Sequence, residues 1–171
     1  MSSVIVSQHP IYELTINSES SLFLGPCPGT KDVDLVTSLQ DIIHRHCSAV
    51  ISLITSEEMD KCSVQDLGPQ SSTIGMQWFH LPIEDDTVPN AQTMQRFNEV
   101  LPRIKQLLAG SENVFIHCMG GSGRTGLIAA LILKELGWSD DKAMDAIKHV
   151  RPNAFRQIEQ QNFVKAYQPK T

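Results

Sequence analysis

A short glycine-rich loop between an apolar strand and an apolar helix constrains this chain more than any other feature. Residues 114–116 (Val-Phe-Ile) suit a buried strand, and residues 126–133 suit a buried helix. The loop between them contains Gly120, Gly121 and Gly123. The backbone N–H groups of such a loop and of the first helical turn lack partners, and the helix dipole is positive there. The segment therefore predicts a cradle for a small anion.

Two side chains of this segment could perform chemistry on a phosphate group held there. Cys118 and Arg124 stand at the two ends of the loop, with five residues between them. Inward-pointing amides stabilise a thiolate, the nucleophilic form of cysteine, and a planar guanidinium can grip two phosphate oxygens. The hydroxyl of Thr125 is expected near the sulfur, where it would help the thiolate to leave. His117 is expected to orient the loop through a backbone hydrogen bond, without transferring a proton.

This segment resembles the signature of the cysteine-dependent protein tyrosine phosphatase superfamily: His-Cys, five residues, Arg, then Ser or Thr. The positions that match are His117, Cys118, Gly120, Gly123, Arg124, Thr125 and Gly126. The resemblance implies that Cys118 is the nucleophile of a phosphoric monoester hydrolase with a phosphocysteine intermediate. It also implies a phosphate-binding loop, or P-loop, made of Met119, Gly120, Gly121, Ser122, Gly123 and Arg124.

An acidic loop upstream could supply the proton that the leaving oxygen of a phosphate ester needs. Residues 82–89 contain three candidates, namely Glu84, Asp85 and Asp86. In the superfamily a Pro-Ile-x-Asp segment precedes the signature, and its Asp is the general acid. The resemblance therefore implies Asp85 as the acid, with Asp86 as the alternative.

The C-terminal region carries a second, weaker match. Residues 151–160 resemble the family segment Arg-Pro-Gly-Ala-Ile-Gln-Thr-Pro-x-Gln, in which Gln160 is a supporting residue. Arg156 stands where the family often has Gln. Its side chain either adds positive charge at the pocket rim or is simply solvated. The resemblance is closest to the small dual-specificity phosphatases. No Lys-Asn-Arg-Tyr segment of the kind that deepens a tyrosine-specific pocket is found in the sequence. We therefore expect phosphoserine and phosphothreonine to be accepted as well as phosphotyrosine.

Strands that alternate with helices predict an α/β fold with a central, mostly parallel sheet flanked by helices. We expect one catalytic domain over residues 1–171, with an irregular extension over residues 1–20 that could hold a short strand near 11–16. One short helix is expected within residues 55–73, and Pro102 should kink or split a helix that ends near Gly110. The predicted strands lie at 22–24, 49–54, 76–81 and 114–116, and the other helices at 32–47, 126–133, 139–150 and 157–167.

Composition limits the partners of the chain. The net charge is −5 and there is no basic run, which disfavours nucleic acid and anionic membrane as partners. The N-terminus does not resemble a signal peptide, and no apolar run reaches the length of a membrane span. The four cysteines lack C-x-x-C spacing, which argues against zinc and a disulfide framework and favours a reducing, cytoplasmic setting. We predict a monomer without metal or other cofactor that acts on a phosphoprotein or phosphopeptide.

Two other functions remain open at this point. The first is hydrolysis of inositol phosphates or phosphoinositides, but enzymes of that kind usually carry lysines in the loop, and residues 119–123 contain none. The second is a non-catalytic phospho-binding module, which loss of the cysteine, the arginine or the acid would favour. Cys47 and Cys62 are candidates for a regulatory disulfide with Cys118. Glu57 and Glu58 follow a strand, and we expect a surface role for them, with a role in holding the active-site loops as the alternative.

Overall fold

The parallel strands of one sheet bring distant parts of the chain to a common edge. The computed structural model describes residues 8–170. Its sheet has five strands, β1 (Tyr12–Thr15), β2 (Ser21–Gly25), β3 (Cys47–Ser52), β4 (Gln77–His80) and β5 (Asn113–His117). They have the order β1-β2-β5-β3-β4, in which β1 is antiparallel to β2 and the other pairs are parallel. The predicted mostly parallel sheet is confirmed.

The central strand β5 is buried on both of its faces. Val114, Phe115 and Ile116 have no exposed surface, because β2 and β3 flank the strand and helices pack against the sheet. A continuous apolar run is the sequence pattern expected for such a strand. In the register of the sheet, Gly25 and Ser52 stand beside His117. The carboxyl ends of β2, β3 and β5 therefore meet where the glycine-rich loop begins.

Seven helices within the described residues surround this sheet. They are α1 (Leu35–Ile43), α2 (Ser56–Lys61), α3 (Leu67–Thr73), α4 (Ala91–Ala109), α5 (Gly123–Glu135), α6 (Asp140–Val150) and α7 (Ile158–Ala166). Helix α5 contacts β2, β5, α6 and α7, and it is the most buried of them, with no exposed surface from Leu127 to Leu133. Helix α4 packs on β5, α1 on β3, α3 on β4, and α6 on β1.

Two helix predictions differ from the structure. Pro102 was expected to kink or split its helix, and the split is wrong, because α4 runs through Pro102 as a single element. The ring is on the exposed side, while Phe97 and Ile104 are fully buried on the other side of the helix. A proline inside a helix costs about 3 kcal/mol, and each buried apolar side chain contributes roughly 1.5–3 kcal/mol. Residues 55–73 hold two short helices rather than one, because Ser63 between α2 and α3 has a left-handed backbone with φ of 55°.

The N-terminal region contributes a strand to the sheet. Residues 12–15 form the edge strand β1, so the short strand predicted near 11–16 is confirmed. His9 is buried, and its Nε2 donates to the carbonyl oxygen of Pro26 at 2.9 Å. Residues 1–7 of the extension lie outside the described residues.

A buried ion network fixes the C-terminal segment against α5. The Lys134 ammonium donates to the carbonyl oxygens of Val164 (2.7 Å) and Tyr167 (2.6 Å) and pairs with Asp140 at 2.7 Å. The carboxylate of Glu135 accepts from the Tyr167 hydroxyl at 2.6 Å. These two charged groups at the end of α5 thus hold the last turn of α7 and the chain that follows it.

Replacing Lys134 by Met should destabilise the fold by about 1–3 kcal/mol, because it leaves two carbonyls and a carboxylate without their donor. Urea unfolding of the variant measures this loss. Lys148→Met is the matched control, since Lys148 is exposed on α6, and it should change the free energy of unfolding by less than about 0.5 kcal/mol. Equal stabilities of the two variants would contradict the prediction.

Candidate active site

The glycine-rich loop lies at the carboxyl edge of the sheet, beside a pocket of about 350 Å³. Cys118 follows β5 directly, and its side chain lines this pocket. The backbone N–H of Gly121 donates to Cys118 Sγ at 3.2 Å. The pocket is lined by Asp85, Asp86, Cys118, Met119, Gly120, Ser122, Gly123, Arg124, Asn153, Arg156, Gln157 and Gln160.

The shape of the loop depends on a close backbone contact with β2. Gly121 has φ of 81°, and a Cβ added to it would stand 2.3 Å from the carbonyl carbon of Gly25. No other residue fits that position without moving the backbone. One residue beyond the cysteine, the carbonyl of Met119 accepts from the N–H of Cys27 at 3.0 Å. The loop is therefore packed directly on the chain that leaves β2.

Arg151 braces the outer side of the loop, a role that its motif match did not predict. Its Nε donates to the Gly121 carbonyl at 3.0 Å, and its Nη2 donates to the Gly120 carbonyl at 2.7 Å. The guanidinium also lies 4.2 Å from the centre of the Tyr12 ring. Because these two carbonyls point to Arg151, the Gly121 amide is left free to face the sulfur.

A chain of buried hydrogen bonds fixes the orientation of His117. The indole N–H of Trp78 donates to Ser52 Oγ at 2.8 Å, and Ser52 Oγ is 2.6 Å from His117 Nε2. His117 Nδ1 lies 3.0 Å from the Cys118 carbonyl oxygen, which can only accept. The histidine proton is therefore on Nδ1, and the Ser52 hydroxyl donates to Nε2. Burial lowers the pKa of His117 to about 4, so the ring is neutral at pH 7.

The Arg124 guanidinium is 2 % exposed and is held from behind by Glu58. Its Nη1 and Nη2 donate to the two carboxylate oxygens of Glu58 at 2.7 and 3.0 Å, and Nη1 also donates to the Ile83 carbonyl at 2.9 Å. The Arg124 Nε is buried and has no hydrogen-bond partner among residues 8–170. One edge of the guanidinium is thus paired, and the Nε–Nη2 edge remains for an anion.

A capping box positions the carboxylate of Glu58 at the start of α2. The Thr55 hydroxyl accepts from the Glu58 N–H, and the Thr55 N–H donates to Glu58 Oε1 at 3.0 Å. Burial raises the pKa of the Glu58 carboxyl, but hydrogen bonds from Arg124 and Thr55 outweigh it and hold that pKa below its usual value. The expected surface role for Glu58 is therefore wrong, and the alternative, that it holds the active-site loops, agrees with its pair with Arg124. The Thr-x-x-Glu spacing was the sequence signal that could have shown its fixed orientation.

The acidic loop brings both candidate acids to the pocket. Asp85 is exposed, and its Oδ1 lies 3.3 Å from Arg124 Nη2. Asp86 has φ of 58°, and its carboxylate faces Gln157 Nε2 at 3.5 Å. The N–H of Asp86 donates to Asp85 Oδ1 at 3.0 Å, which fixes the orientation of that carboxylate. Of the two candidates, Asp85 is thus the one whose carboxyl group lies beside the Arg124 guanidinium.

Gln160 and Thr125 are buried next to the loop. Gln160 donates to the Thr87 carbonyl at 3.2 Å, and a Cβ added to Gly123 would stand 3.4 Å from its Oε1. It therefore connects the acidic loop with the start of α5. The Thr125 hydroxyl has no hydrogen-bond partner within residues 8–170.

The family of the chain follows from a comparison with known proteins. The family described as "Dual specificity phosphatase, catalytic domain" matches residues 39–170. The chain belongs to the dual-specificity phosphatases. It is thus a protein phosphatase of the cysteine-dependent kind, and the predicted family, fold class and enzyme class are confirmed. Strands β1 and β2 precede the matched residues and complete the sheet.

Individual relatives agree with this assignment. Cyclin-dependent kinase inhibitor 3 of Rattus norvegicus is 30 % identical over 159 residues, which cover 88 % of this chain and 74 % of the relative. The PRL-1 phosphatase of Drosophila melanogaster is 34 % identical over 90 residues, or 53 % of this chain and 50 % of that protein. A crystal structure of kinase associated phosphatase superposes with a TM-score of 0.81 at 24 % identity, covering 92 % of this chain and 93 % of the other, which shows a shared fold.

The other cysteines of this phosphatase differ in their distance from the loop. Cys47 starts β3 beside Asn113, at the opposite end of the sheet from Cys118. Cys62 Sγ lies 3.9 Å from the sulfur of Met119, so it is close to the loop. Burial raises the pKa of the Cys27 and Cys47 thiols to about 12. Of the two cysteines considered for a disulfide with Cys118, Cys62 is thus the one that lies beside the glycine-rich loop.

Two features of the described residues bear on the predictions about metal ions and membranes. Within residues 8–170, no three His, Cys, Asp or Glu side chains are grouped so that they could hold a metal ion. In the same range, no helix combines the length and the apolar composition needed to cross a membrane.

The buried neutral His117 should make the fold less stable as the pH falls. The pKa is 6.5 in the unfolded chain and about 4 in the folded one, so only the unfolded chain binds this proton between those values. This group should therefore remove about 3 kcal/mol of stability as the pH falls from 6.5 to 4. His9, whose pKa is also lowered by burial, adds to the same slope.

Urea unfolding between about pH 7 and pH 4.5 measures this slope. The slope should be smaller in His117→Asn, because the titrating ring is removed. His149→Asn is the control, since His149 is exposed on α6, and its slope should equal that of the wild type. An undiminished slope in His117→Asn would show that the ring does not resist protonation.

Proposed function

We propose that this phosphatase hydrolyses phosphotyrosine, phosphoserine and phosphothreonine esters of proteins through a phosphocysteine on Cys118. The proposal rests on the observation that the Cys118 thiol and the Arg124 guanidinium line the same pocket. Cys118 Sγ accepts a backbone N–H, and the buried Nε of Arg124 lacks a partner there among residues 8–170. A phosphate group fits both, because its oxygens accept from the guanidinium while its phosphorus faces the sulfur.

The contacts of Arg124 suggest how the phosphate is held. A guanidinium has two edges that can each form a pair of parallel hydrogen bonds. Glu58 occupies the Nη1–Nη2 edge, so the Nε–Nη2 edge would take two phosphate oxygens. Asp85 lies near Nη2 at 3.3 Å, where a bound phosphate would compete with it. Binding would therefore release the Asp85 carboxyl from the guanidinium and leave it beside the leaving oxygen.

The first chemical step transfers the phosphoryl group to sulfur. The Cys118 thiolate attacks phosphorus, an S–P bond forms, and the bond from phosphorus to the side-chain oxygen breaks. Asp85 donates its proton to that oxygen, so the alcohol or phenol leaves neutral. The loop amides and Arg124 stabilise the equatorial oxygens during the transfer.

The second step restores the enzyme. A water molecule attacks phosphorus, Asp85 accepts the proton of that water, and the S–P bond breaks to release phosphate and the thiolate. We assign the stabilisation of the leaving thiolate to the hydroxyl of Thr125 on the basis of the sequence resemblance. Within residues 8–170 this hydroxyl makes no hydrogen bond, so it would have to turn toward Cys118 Sγ during the reaction. His117 holds the Cys118 carbonyl and, as a buried neutral ring, takes no proton.

The same pocket bears on the choice of substrate. Its lining contains no lysine, which does not favour inositol phosphates or phosphoinositides with their extra phosphate groups. The presence of Cys118, Arg124 and Asp85 together does not favour a non-catalytic binding module. The name of the relative cyclin-dependent kinase inhibitor 3 makes a cyclin-dependent kinase a candidate partner. The cytoplasmic location and the monomeric state stay predictions.

Hydrolysis of para-nitrophenyl phosphate tests the roles of Cys118 and Asp85. Cys118→Ser should abolish turnover, because the hydroxyl is a far weaker nucleophile. Asp85→Ala should lower kcat by about 10²- to 10⁴-fold through loss of the general acid. Asp86→Ala is the neighbouring control and should keep most of the activity. Turnover by Cys118→Ser would reject the mechanism, and a dead Asp86→Ala with an active Asp85→Ala would move the acid by one residue.

Exchange of Glu58 for Gln should lower kcat/KM for the same substrate by about 10- to 100-fold, because the guanidinium loses the carboxylate that aims it. Glu57→Gln removes the same charge from the adjacent exposed position of α2 and should leave kcat/KM within about twofold of the wild type. If the two variants behave alike, the pair with Arg124 does not position the guanidinium.

A further inference from the structure

We propose that Arg156 forms a second binding site at the pocket mouth, for an anionic side chain next to the phosphorylated residue of a peptide substrate. The anion is a carboxylate or a second phosphate group. This inference rests on the proposed function of the pocket and adds to it a preference among peptides. It begins from the position of Arg156, which lines the same pocket as Cys118 and Arg124 and is itself exposed.

The guanidinium of Arg156 is not engaged by any acidic group of the described chain. Within residues 8–170 its one hydrogen-bond partner is the amide oxygen of Asn153, at 2.6 Å, and none of the ion pairs in that range includes it. A neutral partner orients the guanidinium without cancelling its charge. Most of its N–H donors therefore remain for a ligand.

A strained backbone places this cation at the pocket. Phe155 has φ of 62°, a left-handed conformation that is rare for a bulky residue and costs about 1–3 kcal/mol. Its side chain is 2 % exposed and packs toward Gly126, where an added Cβ would lie 3.7 Å from the ring. The turn buries Ala154 and Phe155 and brings Arg156 back to the surface. Such strain is often found at functional sites.

Arg156 determines whether the pocket mouth can accept an anionic substrate residue, because carboxylates lie near it there. The pocket lining includes the carboxylates of Asp85 and Asp86, which would repel an acidic substrate residue. Asp85 faces Arg124, and Asp86 faces the amide of Gln157. The chain as a whole is also acidic, with a net charge of −5. Arg156 is thus the local cation that could reverse this repulsion.

Peptide geometry limits which substrate residue could reach Arg156. A phosphoresidue held by Arg124 carries its neighbours along the mouth, and adjacent Cα atoms are about 3.8 Å apart. An anionic side chain within two residues of the phosphoresidue would therefore lie near the rim. A carboxylate or a phosphate group accepts two parallel hydrogen bonds from a guanidinium, which matches the donors that Arg156 leaves open.

The test compares kcat/KM for the dephosphorylation of tyrosine in peptides that differ only at the flanking residues, with Glu, phosphoserine or neutral Gln on each side. Following the tyrosine product alone keeps any hydrolysis of the flanking phosphoserine out of the comparison. In the wild type, the ratio of the Glu to the Gln peptide should be about 2 to 5, the size expected for an exposed ion pair. The phosphoserine peptide should give a higher ratio because its charge is larger. Both ratios should approach one at about 1 M salt, where exposed charges are screened.

Arg156→Gln should reduce the Glu to Gln ratio to about one or below, because the carboxylates of Asp85 and Asp86 then repel the Glu side chain without an opposing cation. Arg156→Lys should keep part of the preference for the Glu peptide, since lysine retains the charge but lacks the two parallel N–H donors of a guanidinium. Arg103→Gln is the control for net charge: Arg103 is exposed on α4, hydrogen-bonds to Gln77 and Gln106, and is outside the pocket lining. Its ratio should equal that of the wild type.

Two results would overturn the inference. One is a ratio near one in the wild type, and the other is a preference that persists in Arg156→Gln. If Arg156→Gln instead impairs hydrolysis of a soluble inositol polyphosphate and leaves the peptide ratio unchanged, the site serves that ligand class and not peptides. Para-nitrophenyl phosphate has no neighbouring residue, so its hydrolysis by the wild type reports the proposed function separately. A wild type that is inactive on it would refute the proposed function itself.

Discussion

The buried guanidinium of Arg124 is the interaction on which the rest of the site depends. A cation that is 2 % exposed needs a fixed counter-charge, and Glu58 supplies it with two parallel hydrogen bonds. The pair determines which edge of the guanidinium faces the pocket. It also joins the start of α5 to the start of α2 and, through the Ile83 carbonyl, to the acidic loop. Three segments that are distant in sequence are thereby held around one charge.

The sequence predicted the part of the site whose geometry is local. Cys118, Arg124 and the glycines lie within one strand-loop-helix unit, so their spacing alone predicts a phosphate cradle. The residues that hold this unit were harder to find because they are remote. Glu58 is 66 residues from Arg124, and Ser52 is 65 residues from His117. No periodicity or spacing rule relates such positions, and only the order of the strands brings them together.

The fold itself was predictable where burial determines the pattern. The apolar runs of β3 and β5 and the apolar helix α5 were found because each is buried by its neighbours. Local rules failed where tertiary packing outweighed them. Pro102 was expected to interrupt α4, yet the buried face of that helix compensates for one lost hydrogen bond. The two short helices of residues 55–73 have too few turns to show a period, and only the capping box at Thr55 marks the first of them.

The contact between Gly121 and Gly25 has a consequence for how the site meets its ligand. The backbones of Gly121 and Gly25 touch at a point where no side chain fits. The conformation of the loop is therefore set by its contact with β2 when the sheet forms. The backbone N–H groups of the loop are therefore brought together, against the repulsion between their dipoles, when the protein folds and not when the anion binds. An incoming tetrahedral anion would find the dipoles already aligned, and solvent displacement would be the main rearrangement left.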